Sequence, residues 1–251
     1  SGCASDATAK GLDALRAKLS GRLLLPTDPT FATENQPAND EFAGITPIAI
    51  AMCVDPEDVI ACVNWCREEG IQPVIRGGGH NYAGFSTTQG LLIKTTPMNS
   101  VTVDDANGTV TIGAGALNKE LLANVVNTNF MVPIGTCLEV GFTGLVLGGG
   151  LGDNSRWAGI TADHLMSTDV VLANGSAVTA SSAQNPDLFW AARGGAGGNF
   201  GVHTKHVVSL VEIPHRQIGA FELKFRGIED CIASFMAFDK IMHSAPDRLS
   251  G

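Results

Sequence analysis

The spacing of apolar positions predicts a helix-and-strand pattern in the first part of the chain. Leucines at helical intervals predict a helix over residues 8–19, and a proline- and polar-rich stretch over 23–39 predicts an irregular surface segment. An apolar run over 45–54 predicts a buried strand. The next helix has Asp55 as its N-cap and ends at Gly70. A short strand then leads into a glycine loop, which gives a strand–helix–strand unit.

Beyond this unit the apolar period shortens towards two, which is typical of strands. Short strands are predicted at 91–94, 100–103, 109–113, 169–172 and 177–180, with a longer one over 200–211. The Asn-Gly pairs at Asn107 and Asn174 favour hairpin turns over glycosylation acceptors. Helices are predicted at 118–127 and 228–242, and residues 221–225 are predicted to start a new sheet.

Composition narrows the class of protein. The 251 residues include 25 acidic and 16 basic side chains, a net charge of −9, and 44% are hydrophobic. This balance excludes a disordered chain, a collagen and an electrostatic nucleic-acid binder. The longest apolar stretches are interrupted too early for a membrane span. The length suits one or two domains, and we expect a soluble protein, either cytoplasmic or secreted after signal removal.

Six cysteines are too few for a disulfide scaffold, and a second metal-spaced pair is missing, so we expect no metal site. Cys62 and Cys66 lie four residues apart in a helical pattern and are predicted to be core thiols.

The chain has 30 glycines, and many of them fall into three clusters, at 77–79, 141–152 and 194–201. Glycine lets the backbone approach a ligand closely and lets N–H groups converge on an anion. Tight turns are the alternative explanation, but three clusters favour one large ligand with a diphosphate. Neither the dinucleotide pattern G-x-G-x-x-G nor a P-loop is present. His80 follows the first cluster and Cys137 precedes the second, and both side chains are nucleophiles that can bond to an electrophilic ring.

These segments resemble a known family. Arg76-Gly-Gly-Gly-His80-Asn-Tyr-Ala-Gly84 resembles the diphosphate-binding loop of the vanillyl-alcohol-oxidase-type FAD-binding fold. Residues 135–152 and 187–201 resemble the second and third glycine segments of its berberine-bridge-enzyme-like branch. The resemblance covers about residues 43–213, in consistent order.

The resemblance implies an α+β fold, namely a two-subdomain FAD-binding domain followed by the start of an α+β substrate domain. We therefore expect an N-terminal helix and irregular segment over 1–42 and an FAD-binding domain over 43–213. Its subdomains would cover about 43–105 and 106–213. Residues 214–251 would begin an incomplete substrate domain, so we expect a missing C-terminal half.

The resemblance also implies a bicovalent FAD, with His80 bonded to the flavin 8α-methyl group and Cys137 bonded to C6. Backbone at Arg76–His80 would hold the diphosphate, and the strand at Gly201 and Val202 would line the adenosine end. The full set of predicted cofactor-binding residues is Arg76, Gly77, Gly78, Gly79, His80, Asn81, Gly84, Thr136, Cys137, Val140, Gly141, Gly144, Gly148, Gly149, Gly152, Gly201 and Val202.

The implied function is an FAD-dependent oxidase that takes a hydride from a substrate C–H and reduces O2 to hydrogen peroxide. The expected partners are a small-molecule substrate and O2, with no nucleic acid and no membrane. Val140 occupies the family's oxygen-gate position, where valine is associated with oxidases. Cys137-Leu138-Glu139 departs from the branch's usual Cys-Pro-Thr. The alternatives are a dehydrogenase with another electron acceptor, an oxidative cyclase and a non-enzymatic flavin-binding protein.

No catalytic base is assigned, because the family takes it mainly from the substrate domain. Tyr82 is predicted to be a loop-packing residue, and Arg156 and His164 are weaker pocket candidates. His203 and His206 are predicted to be structural or exposed.

Overall fold

The structure, a computed structural model, describes residues 11–195, 197–213, 222 and 224–246. Two sheets dominate it, one with strand order β1-β2-β4-β3 and one with order β5-β6-β10-β8-β9, and β7 pairs with β11. The strands are β1 (Arg22–Leu24), β2 (Ala49–Met52), β3 (Pro73–Arg76), β4 (Leu91–Lys94), β5 (Val101–Asp104), β6 (Thr109–Gly113), β7 (Phe130–Met131), β8 (Leu165–Val171), β9 (Ala177–Ser181), β10 (Val202–Ser209) and β11 (Val211–Glu212).

Beyond residue 16, the described residues form seven α-helices: α1 (Phe31–Asn35), α2 (Pro56–Glu69), α3 (Asn118–Val125), α4 (Phe142–Leu147), α5 (Ser155–Ala158), α6 (Pro186–Ala191) and α7 (Ile228–Ser244). Residues 11–16 are helical as well, and short 3₁₀ helices cover Asp40–Phe42 and Thr161–His164. In the part of the chain that is described, no helix is long and apolar enough to cross a membrane.

The first sheet contains the predicted strand–helix–strand unit. β2 and β3 both pair in parallel with β4, and β1 pairs antiparallel with β2. The Asp55 side chain accepts a hydrogen bond from the backbone N–H of Asp58 at 2.8 Å, and Gly70 ends α2 in the left-handed conformation. The helix limits read from the sequence are therefore confirmed.

The second sheet is antiparallel throughout, with β10 between β6 and β8. The chain passes from the first sheet to the second between Lys94 and Val101, because β5 already pairs with β6. This change of sheet comes shortly before residue 105, where the subdomain boundary is predicted.

The predicted irregular surface segment over 23–39 is wrong in part. Its first two residues belong to β1, where Leu23 and Leu24 are buried, and α1 carries the buried Phe31. These side chains are buried against the β2 side of the first sheet, a tertiary contact that local composition does not show.

The ends of several other helices and strands also differ from the predicted ones. β8 starts at Leu165, four residues before the predicted strand, because pairing with β10 extends that far. The helix predicted over 118–127 ends at Val125, and the strand predicted over 200–211 ends at Ser209. The short helices α4, α5 and α6 were not predicted from the sequence, because each has only four to six residues, too few to show a helical period.

α7 confirms the amphipathic helix predicted near the C-terminus. None of its residues is buried, and Arg156 of α5 donates to its end through Nη1 to the Met242 carbonyl at 2.9 Å. The new sheet predicted at 221–225 depends on Phe221 and Leu223, which lie outside the described residues.

Candidate functional site

The first and second glycine segments are in backbone contact. A Cβ on Gly78 would collide with the backbone nitrogen of Gly141, and a Cβ on Gly141 would collide with the nitrogen of Gly78. Glycine is therefore required on both sides of this contact. Since His80 lies two residues from Gly78 and Cys137 four residues from Gly141, the fold brings both nucleophile-bearing segments to one place.

The Arg76 side chain anchors the start of the first glycine segment by hydrogen bonds. Its guanidinium is buried and donates to the carbonyls of Ser86 at 2.8 Å and Asn35 at 2.6 Å. Burial lowers the pKa of Arg76 to about 10. Its Nε and Nη1 atoms are thus bonded to protein carbonyls, whereas Nη2 is buried without a hydrogen-bond partner among the described residues.

The loop after Arg76 presents His80 to solvent. The Asn81 side chain accepts from the backbone N–H groups of Ala83 and Phe85, both at 3.0 Å, and so fixes the shape of the loop. Gly84, with φ +75°, lies against the Phe42 ring. Tyr82 is 92% exposed, so the prediction that it packs within the loop is wrong.

Cys137 lies in the wall of a cleft of about 360 Å³. One wall comes from the segment that contains Thr136, Cys137 and Val140, and the other from residues 151–153. A Cβ on Gly152 would collide with the Ile134 carbonyl, so the two walls are held together by close backbone packing. Cys137 is exposed, and Val140, the proposed oxygen gate, lines the same cleft.

Glu139 does not leave an unpaired carboxylate beside Cys137. Its Oε2 lies 2.9 Å from Nζ of Lys119, and both side chains are well exposed. The hydrogen bond from Lys119 to Glu139 raises the pKa of the lysine. The departure from the family motif therefore places an ion pair on the outer side of this segment.

The remaining predicted glycines differ in exposure and in backbone conformation. Gly144 and Gly148 are exposed, while Gly149 and Gly79 have positive φ and are buried. Gly77 has nothing closer than 3.7 Å to an added Cβ, which leaves room beside the Gly78–Gly141 contact.

The third glycine segment joins the second at the end of α4, where the backbone N–H of Gly194 donates to the Leu147 carbonyl at 3.1 Å. At its far end, a Cβ on Gly201 would come within 2.6 Å of the Val171 carbonyl. The Val202 side chain is 3% exposed and belongs to the first hydrophobic core. Only backbone at this position is therefore available to a ligand.

The weaker candidates lie elsewhere. The His164 imidazole forms hydrogen bonds with the Ser209 hydroxyl and the Ala158 carbonyl. Neither His164 nor Arg156 lines the cleft. His203 and His206 are buried and stacked 5.9 Å apart, which confirms a structural position. Burial lowers the pKa of His203 to about 4 and that of His206 to about 3, so both are neutral at pH 7. Among the described residues no group of three or more side chains could hold a metal ion.

The chemistry of the cleft fits a flavin. An exposed thiol lines its wall, an exposed imidazole follows the segment packed against that wall, and backbone N–H groups of a glycine loop lie next to both. Residues 47–181 match the family described as FAD binding domain. The chain belongs to this family.

Relatives agree with this assignment. The chain is 34% identical over 213 residues to the uncharacterized FAD-linked oxidoreductase YgaK of Bacillus subtilis (strain 168), covering 83% of this chain and 47% of that protein. Among solved structures, Physcomitrella patens BBE-like 1 matches with a TM-score of 0.76 and 30% identity over 80% of this chain and 44% of that one.

A second solved structure, of glucooligosaccharide oxidase from Acremonium strictum, matches with a TM-score of 0.75 and 32% identity over 80% of this chain and 43% of that one. That enzyme has a 6-S-cysteinyl, 8α-N1-histidyl FAD. The berberine-bridge-like resemblance and the fold class predicted from the sequence are confirmed. The chain spans less than half the length of these relatives.

Proposed function

We propose that this chain is the cofactor module of an FAD-dependent oxidase and that it holds the flavin through His80 and Cys137. The observation that carries the proposal is the exposed Cys137 thiol in the cleft wall, on a segment packed against the loop that presents His80. The related glucooligosaccharide oxidase, whose FAD bears one cysteinyl and one histidyl bond, supports the same pairing.

Each covalent bond has a balanced net reaction. For Cys137, the S–H bond and the flavin C6–H bond are replaced by one S–C6 bond, and two electrons and two protons reduce one O2 to hydrogen peroxide. For His80, an imidazole N–H and an 8α C–H are exchanged in the same way for an N–C bond. Both bonds would fix the flavin ring relative to the protein, which supplies orientation while the cofactor supplies the redox chemistry.

The glycine loop after Arg76 would hold the diphosphate. Its backbone N–H groups would donate to the diphosphate oxygens, since successive N–H groups of a glycine-rich turn converge on an anion. The asparagine turn at Asn81 would keep His80 exposed towards the ring.

A flavin held by His80 and Cys137 would supply the redox chemistry, namely two-electron oxidation of a substrate C–H with O2 as the electron acceptor. Val140 lines the cleft next to Cys137, where a small side chain leaves access for O2. The substrate would be a small molecule, and the catalytic base would lie outside these 251 residues.

The test is acid precipitation of the full-length protein, expressed with FAD, together with three variants. We expect the unsubstituted protein to keep its flavin, His80→Ala and Cys137→Ala to keep one bond each, and the double variant to release the flavin. Cys231→Ala is the matched control, because Cys231 is an exposed thiol on α7, away from the cleft. Peptide mapping by mass spectrometry assigns each bond.

Release of flavin by acid from the unsubstituted protein would contradict the covalent assignment. The oxidase assignment is read separately, from reoxidation of the reduced flavin in air by stopped flow. Fast reoxidation with peroxide release supports an oxidase, whereas slow reoxidation would favour a dehydrogenase with another acceptor.

A further inference from the structure

Asn118, the first residue of α3, lies directly behind the cysteine segment. It follows Leu117, which forms an isolated bridge with Gly141, so α3 begins where the second glycine segment approaches β6. Asn118 is fully buried although asparagine is a polar residue that is mostly exposed in proteins. A buried amide in this place needs a structural or functional reason.

Asn118 holds the cysteine segment at both ends. Its backbone N–H donates to the Val140 carbonyl at 3.0 Å, and its side-chain Nδ2 donates to the Cys137 carbonyl, also at 3.0 Å. The next residue, Lys119, donates from its backbone to the Leu138 carbonyl at 3.0 Å. Cys137 is exposed, and the bond from Nδ2 to its carbonyl restrains the backbone that carries the thiol.

The side-chain oxygen of the same amide indicates contact with a ligand. Asn118 lines the cleft together with Cys137 and Val140, and its Oδ1 is buried without a hydrogen-bond partner among the described residues. A buried acceptor that lacks a partner is destabilising, and such atoms in native proteins call for an explanation. In a cleft that takes a flavin, an N–H or O–H donor of the ligand would satisfy it.

We propose that Asn118 is a positioning residue for the Cys137–flavin bond, with Nδ2 fixing the Cys137 backbone and Oδ1 accepting from the ligand in the cleft. The inference rests on the proposed function. Asn118 acts through Cys137 and takes no part in the bond exchange itself, in which the thiol S–H and flavin C6–H give way to an S–C6 bond and O2 becomes hydrogen peroxide. His80 is anchored in a different loop, so its bond does not depend on Asn118.

The test compares the two covalent bonds within one protein. Asn118→Asp removes the donor to Cys137 and keeps the acceptor, and Asn118→Ser is too short to reach the Cys137 carbonyl. Asn124→Asp is the matched control, since Asn124 lies on the same helix and its Nδ2 donates to a backbone carbonyl of Glu120 on the exposed side. Each full-length variant is expressed with FAD and sampled over time, and mass spectrometry counts flavin on the His80 and Cys137 peptides.

For both Asn118 variants we expect the ratio of cysteine-linked to histidine-linked peptide to fall at least about 10-fold at early times, since a displacement of about 1 Å costs a reaction up to ~100-fold. The Asn124 control should keep the unsubstituted ratio. An unchanged ratio in the Asn118 variants would overturn the inference, and so would equal loss of both bonds, because that result assigns Asn118 to general folding. Absence of a cysteine bond in the unsubstituted protein would overturn the proposed Cys137–flavin bond, whereas the oxidase assignment is tested separately by reoxidation.

Discussion

The core between β2 and α2 and the cleft beside α3 contain the same reactive residue type in opposite environments. Cys53, Cys62 and Cys66 are buried in the first region, where the Sγ atoms of Cys53 and Cys62 lie 4.0 Å apart. Cys137 is exposed in the second. The hydrogen bond between Cys62 and Cys53, together with burial, raises the pKa of Cys62, and burial raises the pKa of Cys66 to about 12.

Histidines show the same contrast. His80 is exposed on its loop, whereas His203 and His206 are buried in the second sheet and are neutral at pH 7. The difference teaches that environment, and not residue type, decides which thiol and which imidazole can react. Buried groups remain as neutral packing residues, and exposed groups beside the cleft stay accessible to a cofactor.

The largest expected difference is in thiol alkylation of flavin-free full-length protein. A pKa of about 12 instead of 9.0 makes the Cys66 thiolate about 1000-fold scarcer, and burial slows the reagent further. Iodoacetamide should therefore label Cys137 and Cys231 long before the three buried thiols, as followed by peptide mapping. In the flavin-loaded protein Cys137 should be protected while Cys231 still reacts.

Denatured protein is the control, since all thiols should then react at similar rates. Early labelling of Cys62 in the folded protein would break the comparison, because it would show that the first core opens readily.

The second largest expected effect is on the pH dependence of the free energy of unfolding. His203 and His206 have folded-state pKa values of about 4 and 3, below the value of 6.5 of an unfolded chain, so the unfolded state binds more protons as the pH falls. The contribution of these two imidazoles to the free energy of unfolding is fully present above pH 6.5. It is lost as the pH falls towards 4 and 3, by up to about 1.4 kcal/mol per pH unit for each imidazole.

Urea unfolding of the full-length protein between pH 7.5 and 4.5 measures this slope. His206→Gln should make it shallower than in the unsubstituted protein. A slope that His206→Gln leaves unchanged would show that burial of His206 does not govern the acid sensitivity.

The smallest expected effect is the difference in the free energy of unfolding between two cysteine-to-serine variants. Cys62→Ser places a hydroxyl in a fully buried apolar site and should lower the free energy of unfolding by about 1–3 kcal/mol. Cys137→Ser, at an exposed position, should change it by less than about 0.5 kcal/mol. Both values come from urea unfolding of the flavin-free full-length protein, and a cost at Cys137 equal to that at Cys62 would contradict the contrast.

Much of the fold can be predicted from the sequence. α2 has both of its end signals in the chain itself, with Asp55 capping its start and Gly70 ending it, and the structure forms the helix between them. The strands of the second sheet follow from period-two apolar patterns bounded by Asn-Gly turns. The segment around Leu23 was misjudged because its burial depends on β2, which is some 27 residues further on.

The candidate site divides in a similar way. Glycine clusters next to His80 and Cys137 are visible in the chain, and so is their resemblance to an FAD-binding family. Asn118 was missed, because as the first residue of a helix it has no distinguishing sequence signal, and its contact with Cys137 spans 19 residues. The commitment of the Arg76 guanidinium to carbonyls of Ser86 and Asn35 was hidden for the same reason.

The sequence by itself determined the local elements with strong end signals, the three glycine segments and the family, because these depend on residue type and near neighbours. Only the tertiary structure decided that Gly78 meets Gly141, that Cys137 faces a cleft while Cys62 is enclosed, and that Glu139 is paired with Lys119. The physical reason is that accessibility, charge pairing and pKa depend on groups far apart along the chain, which come together only when the two sheets and their loops pack.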